Sequence, residues 1–280
     1  MTESALEKHG FIPFNQLEPV FFAVALSPIF DGTAKQIPGY KAVIRTDTGD
    51  ALAVHSDKYS LVLYQVHFDA FEKAIRESEL KWQTMIVKTD MADNGAKCFR
   101  QYVFPDHMVE FETGRSGRRR MALSIMMMDS YDGSMRFQGR CGCFDFICCN
   151  GVVSGKTIDA IGFKHTGDME IKIEGAAERL TLAATSFLET MDRYQRWPQI
   201  ELSSIEFSEL VADIPQSNPR LVDQLTAQFA RDQGVSLWDA FNLLTTWATH
   251  DVPIKTQNDR QKRVGALVEG ELWKGLEKVG

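Results

Sequence analysis

Apolar positions change their rhythm near the middle of this chain. In the first half they come as short runs of β-branched and aromatic residues separated by turn chemistry. GYKAVIRTDTGDALAVHS (Gly39–Ser56) holds two such runs around Thr-Asp-Thr-Gly-Asp, which predicts a hairpin, and KYSLVLYQV (Lys58–Val66) predicts a third strand. Phe68, Phe71 and Ile75 then recur at helical spacing among charges, so Phe68–Leu80 is expected to be an amphipathic helix. A meander follows. KWQTMIVKTD and AKCFRQYVF flank Asn94–Gly95, HMVEFET and RRMALSIMMMD flank a Gly-Arg-Ser-Gly loop, and SMRFQGRCGCFDFICC follows Asp132–Gly133.

After about Gly175 the period is helical. Leu180, Ala184, Phe187, Met191 and Tyr194 share one face, and Trp197–Pro198 ends that segment. Pro219 starts a second helix that keeps Leu221, Leu225 and Phe229 in register until Gly234. Ser236 and Asp239 are spaced as a capping box for a third, which Pro253 ends, and the charged segment after it predicts one last helix. The pattern therefore predicts an α+β fold: an antiparallel β-meander in the first half, with one amphipathic helix, and a helical second half packed against it. The division is expected at residues 1–174 and 175–280. No Gly/Pro/Ser-rich linker separates the two portions, so they are expected to form one compact unit.

Composition changes this picture little. A chain of 280 residues that is 44% hydrophobic can build its core without metals or disulfides. No apolar run approaches the roughly 20 residues that span a bilayer, and the opening MTESALEKHGF lacks the pattern of a secretory signal. The expected compartment is the cytoplasm, where the five cysteines stay reduced. Four of them, Cys141, Cys143, Cys148 and Cys149, crowd one predicted strand. Their Cys-x-Cys and Cys-Cys spacing places neighbours on opposite faces, which suits a buried strand rather than zinc. No metal or other cofactor is expected.

Charge is more informative. The formal net charge is −7, yet Lys81–Asn150 holds ten Lys/Arg against eight Asp/Glu, leaving −9 for the rest. Arg115, Arg118, Arg119 and Arg120 lie in and after a hairpin loop. Arg136 and Arg140 alternate with Gln138 along the next strand, while Lys97 and Arg100 sit on opposite faces of a nearby one. A basic hairpin tip with an adjoining basic strand is a shape suited to phosphate oxygens, and Tyr102, Tyr131 and Phe137 could supply stacking rings for single strands. Catalytic signatures are missing: the chain has no P-loop, dinucleotide fingerprint, zincin helix or nucleophile elbow. His165, Asp168 and Glu170 lie close in sequence, but turn and cap chemistry explains them as well as catalysis does. No catalytic residue is assigned.

Several segments together resemble the phage/plasmid-like protein family. They are IPGYKAVIRTDTGDALAVHSDKYSLVLYQVHFDAFEKAI with its Arg-x-Asp-Thr-Gly turn, SYDGSMRFQGRCGCFDFICCNGVVSG with its Ser-x-Asp-Gly-Ser turn and Cys149–Asn150, FKHTGDMEIKIEGAAERL, and LWDAFNLLTTWATH. The likeness covers Ile37–His250. Phe146, Ile147 and Cys148 depart from the arginine and valine that often precede the family's Cys-x-Asn, so Cys141, Cys143 and Cys148 belong to this chain alone. The resemblance implies a protein carried by phages, prophages or plasmids and no established activity. The reading that follows is a non-enzymatic protein that binds single-stranded DNA in replication, recombination or strand annealing, in the host cytoplasm, as a homo-oligomer. The alternative is a counter-defence or host-takeover factor that binds a host protein. No membrane partner is expected.

Overall fold

A computed structural model describes residues 7–113, 117–146, 150–152, 182 and 186–279. It is α+β, with antiparallel sheets in the first half and helices dominating the second. The larger sheet has the order β1-β5-β6-β7-β8-β9: β1 (Ile12–Pro13), β5 (Ile86–Ala92), β6 (Lys97–Glu112), β7 (Arg118–Ser130), β8 (Gln138–Asp145) and β9 (Asn150–Val152). The smaller has the order β2-β3-β4: β2 (Val24–Phe30), β3 (Gln36–Arg45) and β4 (Ala51–Ser56). The turn glycines fall where the sequence asks for positive φ, at Gly49, Gly95 and Gly133.

Alternation gives the large sheet two different faces. Val87, Tyr102, Ile125, Met127 and Cys143 point to the main core, under helix α1 (Tyr64–Glu77) and the C-terminal helices. Ile86, Val103, Ala122 and Phe144 point the other way, into a smaller cluster closed by Phe11 and Phe146. The second half supplies α2 (residues 186–194), α3 (Ser204–Asp213), α4 (Pro219–Arg231), α5 (Leu237–Thr249), α6 (Ile254–Val268) and α7 (Glu271–Val279). Ser236 with Asp239 forms the capping box of α5, as their spacing predicts, and Asn218 caps α4 just ahead of Pro219. Phe187, Met191 and Tyr194 are buried together; Leu180 and Ala184 lie outside the described residues. Phe111 of β6 meets Trp238 of α5 edge to face at 5.1 Å, which joins strand and helix across the two halves.

Three expectations are corrected. Tyr59–Leu63 is not a strand, and α1 begins at Tyr64, one turn before Phe68. Tyr64 is fully buried, and its backbone N–H donates to the Tyr131 hydroxyl at 2.9 Å, so the helix start is satisfied by a residue 67 positions away. AKCFRQYVF and HMVEFET are one strand, β6. Its register to β7 jumps between Phe104 and Met108, so Pro105, Asp106 and His107 form a bulge that spares Pro105 a ladder bond. The final charged segment is two helices, because Glu269 and Gly270 separate α6 from α7.

Candidate nucleic-acid interface

The basic residues singled out above do not share one surface. Arg100 points under α1: its Nη1 donates to Glu72 Oε1 at 2.7 Å and its Nε to Thr89 Oγ1 at 2.8 Å, and its guanidinium lies over the Phe21 and Phe68 rings. Arg119 is buried beside Asp145, 3.4 Å from its carboxylate. Lys97 is buried between Asp93 and Asp132, with the Asp132 contact at 2.8 Å. Each of these three cations is paired with a carboxylate. Tyr102, Tyr131 and Phe137, offered above as stacking rings, are at most 1% exposed and belong to the core.

Arg118 and Arg120 follow the hairpin loop on β7 and share Glu110 of β6, at 2.8 and 3.0 Å. Both keep solvent access, and Arg115 lies outside the described residues. Arg136 is exposed but precedes β8, which begins at Gln138.

Arg140 has the most telling environment. It is half-buried on β8, and its Nη1 donates to the neutral Asn258 Oδ1 of α6 at 3.3 Å. One turn further along α6, Lys262 is close enough for its charge to be felt. Burial lowers the pKa of the Lys262 ammonium, and the Arg140 charge lowers it further. Burial likewise lowers that of Arg140. The opposing carboxylate is Asp259, which lies 3.8 Å from Lys262 and attracts Arg140 only at longer range. Lys255, on the same face of α6, reaches Asp93 at 3.5 Å. The seam between β8 and α6 therefore holds Arg140 against Asn258, with Lys262 one turn further along the helix and Asp259 beside it. Lys255, Asn258 and Lys262 were not among the residues picked from sequence. Their i, i+3, i+7 spacing in KTQNDRQK is the signal that could have found them.

Other places fit a polyanion less well. An open cavity of ≈ 640 Å³ lies between α4, α5 and α6 over Phe229, Leu243 and Trp247, but Asp232, Asp239 and Asp251 outnumber Arg231 and Arg260 in its lining. The conspicuous sequence turns have structural uses. Arg45 of the Arg-x-Asp-Thr-Gly turn clasps Asp47 at 2.7 Å, donates to the Asn94 carbonyl at 3.1 Å and covers the Phe22 ring at 3.8 Å, tying the two sheets together. Asp132 of the Ser-x-Asp-Gly-Ser turn holds Lys97.

Among the described residues, no group of three or more His, Cys, Asp or Glu is placed to hold a metal ion. Cys98, Cys141 and Cys143 lie on the core-facing side of the large sheet. Cys148, Cys149, His165, Asp168 and Glu170 lie outside the described residues, and no described helix is long and apolar enough to cross a membrane.

Fold and site together define an α+β protein of two antiparallel sheets and a helical cover, with a cationic seam between sheet and helix. The chain belongs to the family of the domain of unknown function DUF932, whose model matches residues 51–268. No solved structure matches it.

Proposed function

We propose that this protein binds nucleic acid, with single-stranded DNA as its partner, and serves replication, recombination or strand annealing of a phage, prophage or plasmid in the host cytoplasm. The observation that carries the reading is the half-buried Arg140, whose guanidinium has the neutral Asn258 amide of α6 as its hydrogen-bond partner at 3.3 Å, with Lys262 one turn further along that helix. Arginine forks suit phosphate oxygens, and Arg140 has only a neutral amide as its hydrogen-bond partner. Arg118, Arg120 and Arg136, which keep solvent access, and Lys255 of α6 are further phosphate contacts in this reading. Lys97, Arg100 and Arg119 act indirectly, by holding the sheet that presents the others.

Fluorescence-anisotropy titration of single- and double-stranded DNA at two salt concentrations tests this. Binding should be salt-sensitive and stronger for the single strand. Arg140→Ala with Lys262→Ala should make log K against log salt shallower by about 1.4 units, at roughly 0.7 per phosphate contact. Failure to bind at low salt, or an unchanged slope in the folded double variant, would defeat the reading. The first of these results would put the host-protein partner in front.

A further inference from the structure

The open cavity of ≈ 640 Å³ between α4, α5 and α6 has an apolar wall and charges sorted toward its ends. Its volume is in the range of small-ligand sites. Phe229 of α4 with Leu243 and Trp247 of α5 form the wall. Two carboxylates stand where α4 gives way to α5. Asp239 accepts the Val235 and Ser236 amides at 3.0 and 3.1 Å, and Asp232 accepts the Gln228 side-chain amide at 2.8 Å. Arg231, in the last turn of α4, accompanies them. Arg260 of α6 stands at the other end of α5, against Trp247. The helical rise from Asp239 to Trp247 separates the two ends by about 12 Å.

Arg260 is the least satisfied of these charges. Its Nη1 donates to the Trp247 carbonyl at 2.8 Å, and its guanidinium lies 4.6 Å from the centre of the Trp247 ring. Among the described residues no carboxylate pairs with it. Burial lowers the pKa of the guanidinium, and the charge of Arg263, one turn along α6, lowers it further. Asp251 lines the cavity too, but it is exposed and makes no ion pair with Arg260.

We propose that this cavity binds a small organic monoanion, its anionic head on the Arg260 guanidinium and its apolar body over Trp247, Leu243 and Phe229. The order of charges selects that class. A single anionic head supplies acceptors for the remaining N–H groups of Arg260. A second anionic group at the far end of the body would meet Asp232 and Asp239. An uncharged molecule of the same shape would use the wall and leave the guanidinium unmatched.

Two fluorescent probes test the proposal on the full chain. Anilinonaphthalene sulfonate has an aromatic body and one anionic head, and phenylnaphthylamine has the same kind of body without the charge. Both should bind the wild type at a single site and displace each other. Arg260→Met should raise the dissociation constant of the sulfonate by at least about 10-fold, the size of a lost charge-assisted hydrogen bond, and leave that of the amine nearly unchanged. Thr246 lines the cavity from an exposed position, so Thr246→Trp should fill it, abolish binding of both probes and keep the wild-type circular dichroism spectrum. Arg140→Ala with Lys262→Ala should bind both as the wild type does, which separates this site from the DNA reading. No saturable binding of the sulfonate to the wild type, equal loss of both probes in folded Arg260→Met, or wild-type binding in Thr246→Trp would overturn the proposal.

Discussion

Arg100 and Glu72 meet at 2.7 Å beneath helix α1, both nearly inaccessible to solvent, and Tyr102 donates to the same carboxylate oxygen at 2.9 Å. Breaking one side of such a buried pair strands the other charge. Arg100→Met should destabilise the protein by about 3–5 kcal/mol in urea unfolding at neutral pH. Burial raises the Glu72 carboxyl and Arg100 opposes that shift. Without the arginine the folded state favours the protonated acid, so the loss should grow as pH rises above about 4, where the unfolded carboxyl ionises. The joint replacement Arg100→Met/Glu72→Leu should recover most of the stability. A deficit as large as that of the single variant would mean the arginine acts through packing on Phe21 and Phe68.

Lys97 and Asp132 predict an acid-sensitive step. Burial pushes the Asp132 carboxyl up, but the Lys97 ammonium and hydrogen bonds from Ser134 outweigh it and hold the acid at about 2. A depressed carboxyl contributes stability above its unfolded value near 4 and loses that contribution as pH falls toward about 2. After allowance for solvent screening the amount is roughly 1 kcal/mol. The pH dependence of unfolding free energy between about pH 5 and 2 should be flatter by that amount in Asp132→Asn. Identical curves would show that the bridge adds nothing.

Gly95→Ala should be costly. The residue sits at φ +91°, and a Cβ there would overlap the Phe22 ring, which Arg45 covers from above. The combined backbone and steric penalty is expected at about 2–4 kcal/mol, read as a lowered denaturation midpoint with unchanged m-value. Phe22→Ala should partly rescue the variant if the overlap dominates.

The core-facing thiols should be inert. Burial pushes Cys98 up, and Cys141 up to about 12, so little thiolate forms near neutrality. Iodoacetamide at about pH 8 should leave both unlabelled in the native protein and label both in denaturant, as mapped by mass spectrometry. Native labelling of Cys141 would show that β8 opens.

The turns were legible in the sequence because their chemistry is local. Asn94–Gly95, Thr-Asp-Thr-Gly-Asp and Asp132–Gly133 each announce a hairpin, and the glycines at 49, 95 and 133 take positive φ. The cap at Ser236 and the helix start at Pro219 were legible for the same reason. The run Tyr59–Val66 misled because a short apolar stretch reads equally as strand or as the approach to a buried helix, and only the distant Tyr131 hydroxyl decides it. The arginines show the deeper limit. Alternation told which face of β6 holds Arg100, but not that α1 would cover it and bring Glu72 from 28 residues away. The β8–α6 seam joins residues 118 apart, beyond any local pattern.

Strand β4 has a practical consequence. The family match opens at Ala51, the first residue of β4, so it takes in the third strand of the small sheet and leaves β2 and β3 outside. A fragment cut at that boundary would carry β4 with both hydrogen-bonding edges bare, and would lose Val24, Val43 and the Arg45 clasp from the core side. Such a fragment invites edge-to-edge aggregation. Where sequence similarity stops is therefore the wrong place to trim this protein for expression; the start of β2, with Phe21 and Phe22 ahead of it, must be kept.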